Sequence, residues 1–343
     1  MVPRKCRHAL PGKQRGITMT YVQYTTHPIL RDPVFIVAFG GWNDAADAAT
    51  TTIKFLRDKW KPTRFADIDS EEFFVYTETR PTAKFVDAQQ RTIIWPSNQF
   101  YAHVEPALEH DIVLVQGAEP QLKWKTFSTA FLEVCQLLQA SEVVFLGALL
   151  ADIPHTSPVP ITGTATTPEL VERLRAINIR QSRYEGPTGI VGVLQNACEQ
   201  AGIPAASLWG AAPHYLAASP NIKVTSALLT ALNTFLSLGL NLQDIQTDAT
   251  RFEEQITRLV ARDPDASAYV RRLEEQFANL DEVDDEVDDS DIDDDDDSFP
   301  NPDIVPGTGP LPSADTLIRG VEELLRQQRE RGSQQFTDDE DDE

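Results

Sequence analysis

Hydrophobic positions along this chain follow two rhythms, unbroken apolar runs in its first 240 residues and a four-three repeat after them. Val34-Phe35-Ile36-Val37-Ala38-Phe39 is one such run, the pattern of a strand covered on both faces in a parallel sheet. Gly40 and Gly41 end it, and Ala45, Ala49, Ile53 and Leu56 then recur at helical spacing. A sharp turn therefore joins strand to helix, with Asn43 or Asp44 placed to cap the helix. The same order repeats downstream. Asp111–Gly117 predicts a second buried strand, followed by a helix over 121–139 with Phe127, Phe131, Val134 and Leu138 on its apolar face. Val143–Gly147 predicts a third strand. Phe73–Thr77 and Arg91–Trp95 read as further strands, the second for its β-branched residues. Val159–Thr164 is polar and proline-flanked, which predicts an edge strand, and Pro168 suits the first position of the next helix. Gly186–Gly192 is a second glycine-rich turn, leading into a helix over 190–201. Ser207–Gly210 predicts a short strand, and residues 221–237 a helix closed by Gly239. Strands alternating with helices imply an α/β fold, a three-layer sandwich with a mostly parallel central sheet.

From Ile245 the rhythm changes. Ile245, Ala249, Phe252, Ile256 and Leu259 repeat at four-three spacing, and Ala266, Val270, Leu273, Phe277 and Leu280 resume it after Asp263-Pro264. Such a seam packs lengthwise on another helix, and Pro264 divides it into two helices. A helical hairpin resting on the protein's own body and one contacting another subunit both fit. The pattern then gives a domain plan: a basic N-terminal extension over 1–18, an α/β core over 19–240 and the hairpin over 241–280. An acidic, proline-rich linker follows over 281–312, then an amphipathic helix over 313–332 and an acidic tail over 333–343. In the amphipathic segment Leu317, Ile318, Val321, Leu324 and Leu325 form one stripe. A lone helix of that length is marginal in water and needs a surface, on this molecule or a neighbour.

Charge sharpens this plan. The formal net charge is −23, but residues 281–297 hold thirteen acids and no base, and 338–343 hold six more acids. The rest carries 34 acids against 30 bases, so the body is near neutral and the acidity sits in segments of disordered composition. No dense basic patch marks a nucleic-acid binder. No apolar run reaches the ~20 residues of a membrane-spanning helix, and no apolar stretch after the basic first sixteen residues marks a secretory signal. Cys6, Cys135 and Cys198 are odd in number and far apart, which fits buried thiols in a reducing, cytoplasmic setting.

Four motifs stand in order along the chain: Phe39-Gly40-Gly41-Trp42-Asn43-Asp44-Ala45-Ala46, Val159-Pro160-Ile161-Thr162-Gly163-Thr164, Tyr184-Glu185-Gly186-Pro187-Thr188-Gly189-Ile190 and Leu208-Trp209-Gly210-Ala211-Ala212-Pro213-His214-Tyr215, with Ser219-Pro220 after them. Together they resemble those of the proteasome assembly chaperone 2 family of archaea, bacteria and eukaryotes, in its actinobacterial type. The likeness spans residues 20–280, and Leu311-Pro312-Ser313-Ala314-Asp315 with its helix extends it. It implies a fold similar to purine nucleoside phosphorylases and peptidyl hydrolases, used by a self-associating protein that binds other proteins. Archaeal and eukaryotic members chaperone the assembly of proteasome subunits. Some archaeal members end in a hydrophobic residue, a tyrosine and one more residue, whereas this sequence ends in Asp341-Asp342-Glu343.

Candidate chemistry gathers at the predicted strand ends: Gly41, Trp42, Asn43, Asp44, Glu119, Asp152, His155, Glu185, Thr188, His214 and Tyr215. In a doubly wound sheet these loops face one crevice. Two readings follow. In the first, they cap helices and line a protein interface, with Trp42 anchoring its turn or meeting a neighbour. In the second, a histidine with a carboxylate acts as a general base in a nucleoside- or nucleotide-binding enzyme of the phosphorylase-like fold. The glycine turns lack dinucleotide-binding spacing, no lysine of the phosphate-loop type follows them, and no serine sits in a nucleophile elbow. Asp44 and Asp47, with no base beside them, repel the anion that a helix start would attract. His103 and Glu105 fall short of a metal site. The expectation is a non-enzymatic, cofactor-free binding protein with protein partners and neither nucleic acid nor membrane.

Overall fold

The computed structural model describes residues 21–85, 90–217 and 220–284, and side chains as far as 279. Its strands are β1 (Val22–Tyr24), β2 (Val34–Gly40), β3 (Thr63–Ile68), β4 (Thr82–Phe85), β5 (Arg91–Ile94), β6 (Asn98–His103), β7 (Ile112–Ala118), β8 (Glu142–Ala151), β9 (Ile161–Ala165), β10 (Arg180–Gln181) and β11 (Ala205–Pro213). Its helices are α1 (Ala48–Trp60), α2 (Trp124–Leu137), α3 (Pro168–Ala176), α4 (Ile190–Gln200), α5 (Ile222–Phe235), α6 (Gln243–Val260) and α7 (Pro264–Asp284). Nine strands form one sheet in the order β1-β3-β6-β7-β2-β8-β11-β9-β10. The four at its centre, β7-β2-β8-β11, run parallel. Antiparallel pairings extend the sheet on both sides, through β6 at one flank and β9 at the other. The sheet is thus parallel where the apolar runs placed it and mixed overall.

Strand alternation sorts the core into two layers. Val34, Ile36 and Ala38 face α1, α3 and α5 with Leu114, Val144 and Leu146. Phe35, Val37 and Phe39 face α2 and α4, packing with Phe127, Phe131, Ile190 and Leu194. Both faces are dry, which is why the strand sequences read as continuous apolar runs. Cys135 and Cys198 are free thiols buried in the second layer, and burial holds the Cys198 thiol up at about 12.

Among the described residues the predicted helices recur with small shifts, and Thr167 caps α3 with Pro168 in the first turn. Residues 73–77 are not a strand. Phe73 and Phe74 are both buried, and their amides bond back to the Ser70 carbonyl at 3.1 Å each, so the segment is spent on local turns. The strand at 91–95 exists as β5, but it pairs with β4 in a two-stranded ribbon outside the main sheet. β9 lies one strand in from the edge, with only the two-residue β10 beyond it. Ser207–Gly210 is the middle of the nine-residue β11, paired with β8 along its whole length.

The four-three seam becomes α6 and α7, with Pro264 opening α7. Phe252, Ile256, Val260, Ala266, Val270 and Leu273 close over Tyr215 and Leu216, so the hairpin rests on its own body. α7 continues through Asp284, so the first four residues of the linker expected over 281–312 are helical; the rest of that linker, the N-terminal extension over 1–18, the 313–332 helix and the acidic tail lie outside the described residues.

Candidate functional site

The parallel strands β2, β7, β8 and β11 all end at one edge of the sheet, and the candidate residues stand there. Gly41 carries φ of +124°, a conformation open to glycine and strained for residues with a Cβ. After it the chain makes a short 3-10 turn at Ala45–Asp47, with Ala46 and Asp47 left-handed, before α1 begins. Asp44 is buried and caps α1 from outside: its Oδ1 accepts the Ala49 N–H at 2.7 Å and the Thr50 N–H at 3.3 Å, and its Oδ2 accepts the Thr50 hydroxyl. Burial raises its carboxyl to about 6, against the lowering pull of those bonds. Asn43 is also buried. Its carbonyl accepts the Ala148 N–H of β8 at 2.8 Å, and its Nδ2 donates to Glu119 Oε1 at 2.8 Å.

Glu119 is the hub of this half. The same Oε1 accepts the Ile190 N–H at 2.8 Å, at the first turn of α4, while its backbone N–H donates to the Gly40 carbonyl at 2.8 Å. A carboxylate on a helix N-terminus complements its partial positive charge. The place where a phosphate would sit on α4 is therefore filled by the protein's own side chain. Gly189 opens α4, and a Cβ there would stand 2.2 Å from Asn43 Oδ1. Gly41 and Trp42, just before Asn43, and Glu185 and Thr188, ahead of Gly189, are exposed, Trp42 at 61%. Trp42 therefore does not anchor the turn in the core.

The other candidates gather beneath α6 and α7. His155 is buried, and its backbone N–H donates to the Tyr215 hydroxyl at 2.7 Å. That hydroxyl stands 2.9 Å from His155 Nδ1, and His155 Nε2 stands 3.1 Å from Thr257 Oγ1. A neutral imidazole with its proton on Nε2 satisfies all three bonds. Burial, and then the neighbouring Lys223 charge, lower His155 to about 4. Lys223 donates to the carbonyls of His155 and Ser157 at 2.6 and 2.8 Å and pairs with Glu253 at 2.6 Å. His214 Nδ1 lies 2.9 Å from Asp152 Oδ1, and its Nε2 lies 3.0 Å from the Tyr269 hydroxyl.

The sequence thus foresaw the edge but not its division. Gly41 to Asp44, Glu119, Glu185 and Thr188 belong to the β2–β7–α4 junction, whereas Asp152, His155, His214 and Tyr215 belong to the β8–β11 end under the hairpin. Asp152 and His214 have the form of an acid–base pair, but the nitrogen that would take a proton from a substrate already meets Tyr269 of α7. The space beside His155 has a volume of about 10 Å³, room for roughly one water. Among the described residues no group of three or more His, Cys, Asp or Glu could hold a metal ion. His103 instead stacks on Trp60, ring centres 4.7 Å apart. Lys223, Thr257 and Tyr269 were not foreseen. Lys223 and Thr257 lie outside the apolar stripes of their helices, and Tyr269 packs beside the hairpin's stripe; nothing in their spacing marks them as polar partners.

Residues 38–260 match the PAC2 family. A PAC2 family protein from Streptomyces avermitilis is 40% identical, with a TM-score of 0.64, over 70% of this chain and all of that one. A proteasome-assembly chaperone homologue from Mycobacterium tuberculosis is also 40% identical, with a TM-score of 0.63, over 69% of this chain and 99% of its own. The archaeal proteasome activator PbaB of Pyrococcus furiosus shares the fold at 18% identity and a TM-score of 0.57, over 70% of this chain and 99% of that one. No curated protein matches the sequence. A family match over well over half of the chain, with near-complete coverage of two relatives at 40% identity, settles its membership: this chain belongs to the PAC2 family.

Proposed function

We propose that this protein is a non-enzymatic assembly factor that binds subunits of a proteasome-type complex and associates with itself in the cytoplasm. One observation carries the reading: Trp42 stands exposed on a turn whose polar neighbours, Asn43, Asp44 and Glu119, are bonded inward. Such a surface offers an apolar contact with a polar border and no free reagent, which is how protein interfaces are built. Leu150, two residues beyond the Ala148 that Asn43 bonds, is also exposed, as are Tyr184, Glu185 and Thr188 ahead of Gly189. The buried His155–Tyr215 pair and the His214–Asp152 pair support this edge from beneath by holding the hairpin in place. The relative described as a proteasome-assembly chaperone homologue supplies the class of partner.

Gel filtration with light scattering tests the reading, on the purified chain alone and mixed with proteasome α-subunits from the same cell. A self-associated species that forms a larger mixed complex is expected. A monomer that ignores the subunits, together with turnover of a nucleoside in phosphate buffer, would replace this account with the enzyme reading.

A further inference from the structure

The β4–β5 ribbon stands apart from the nine-stranded sheet, and all eight of its residues are exposed. Ala83 pairs with Ile93 and Phe85 with Arg91 on one face, while Thr82 pairs with Ile94 and Lys84 with Thr92 on the other. Each face therefore joins aliphatic or aromatic groups to a base. Phe85 is 72% exposed, Ile93 47%, Ile94 46% and Trp95, just beyond the strand, 52%. Trp95 packs at the ribbon's root against Tyr76, ring centres 4.8 Å apart. A free two-stranded ribbon is marginal in water, and grouped exposed apolar side chains mark a surface that something covers.

We propose that the chain's own acidic stretch, residues 285–297, folds back onto this ribbon and shields it. Charge is the first argument. Residues 80–95 hold three bases, Arg80, Lys84 and Arg91, against one acid, and 285–297 hold ten acids and no base. Among the described residues no acidic side chain forms an ion pair with Lys84 or Arg91. Reach is the second. The stretch starts where α7 ends, and thirteen extended residues span about 45 Å, close to the diameter of a body with a radius of gyration near 18 Å. Charge pairing between exposed groups is screened by salt, so the contact is salt-sensitive. This inference stands whether or not the partner is a proteasome subunit.

Hydrogen exchange on the full-length protein tests it, read on peptides covering 82–85 and 91–95 in 50 mM and 1 M NaCl. A full-length variant with the ten acids of 285–297 changed Asp→Asn and Glu→Gln is the comparison. At low salt the ribbon amides of the parent should exchange at least tenfold more slowly than those of the variant, and 1 M salt should erase the difference. The protection should not change on tenfold dilution. A carbodiimide, which joins amines to carboxylates in contact, should link Lys84 to 285–297 within one chain. Equal exchange in parent and variant would overturn the proposal. So would protection that fades on dilution, which marks a second copy as the cover. Links from 285–297 only to Lys5 and Lys13 would place the acidic stretch on the N-terminal bases and also overturn it.

Discussion

Gly189 and Asn43 meet so closely that the turn at the head of α4 has no room for a methyl group. Gly189→Ala would press its Cβ against the Asn43 amide and weaken the Glu119 knot, costing about 1–3 kcal/mol. Urea denaturation should show a lower midpoint at an unchanged slope. Two buried titrating groups give the fold opposing pH terms. His155 falls to about 4 on folding, so the unfolded state binds the proton more readily between about 4 and 6.5. Its contribution is full above 6.5 and is lost as pH falls through that window. Asp44 rises to about 6, so the folded state holds its proton more tightly, and its contribution falls as pH climbs from about 4 to 6. The two partly cancel. Asp44→Asn keeps an acceptor for Ala49 and Thr50 and removes one of the terms. Stability of that variant should drop between pH 6 and 4 more steeply than that of the parent, by up to about 1.4 kcal/mol per pH unit. Parallel profiles would contradict the assignment. Little of this was readable beforehand. Residue type and position marked Asp44 and His155 as strand-end groups, but the burial of Asp44 depends on Ala148 of β8 and that of His155 on Thr257 of α6, each just over a hundred residues later in the chain.

At the scale of elements, patterns with one cause were legible and patterns with two were not. β2, β7 and β8 are apolar because both faces are covered, and their short length and β-branched content set them apart from a buried helix. The α6–α7 seam was equally plain, although the choice between body and neighbour needed Tyr215 and Leu216 beneath it. Phe73 and Phe74 misled because large apolar residues serve a buried turn as well as a strand. β10 has two residues and is too short to leave a periodic trace. Ile256 sits at the centre of the hairpin contact, fully buried. Ile256→Ala should cost about 2–4 kcal/mol in chemical denaturation. It should also loosen Thr257 over His155, letting water in and raising the imidazole from about 4 toward its ordinary range. An NMR titration of the His155 ring would show this shift. An unmoved titration would mean that the hairpin does not govern that site.

The whole molecule is a near-neutral α/β body with a strongly acidic sequence attached, and the two parts call for different partners. The body's parallel strand ends carry polar residues of the kind that enzymes of this architecture use, yet each half of the edge spends them on its own elements. Glu119 holds α4, Asp44 holds α1, and the two histidines hold the hairpin. What faces solvent is Trp42 with its exposed neighbours. The most direct measurement is a quantitative affinity capture from the native cell, with full-length protein as bait beside full-length Trp42→Asp. Trp42 is largely exposed, so the variant should fold as the parent does. Proteasome subunits enriched by the parent and reduced at least tenfold with Trp42→Asp are the predicted result. Equal capture by both would contradict the role given to the turn, and no proteasome subunit with either would contradict the assembly function itself.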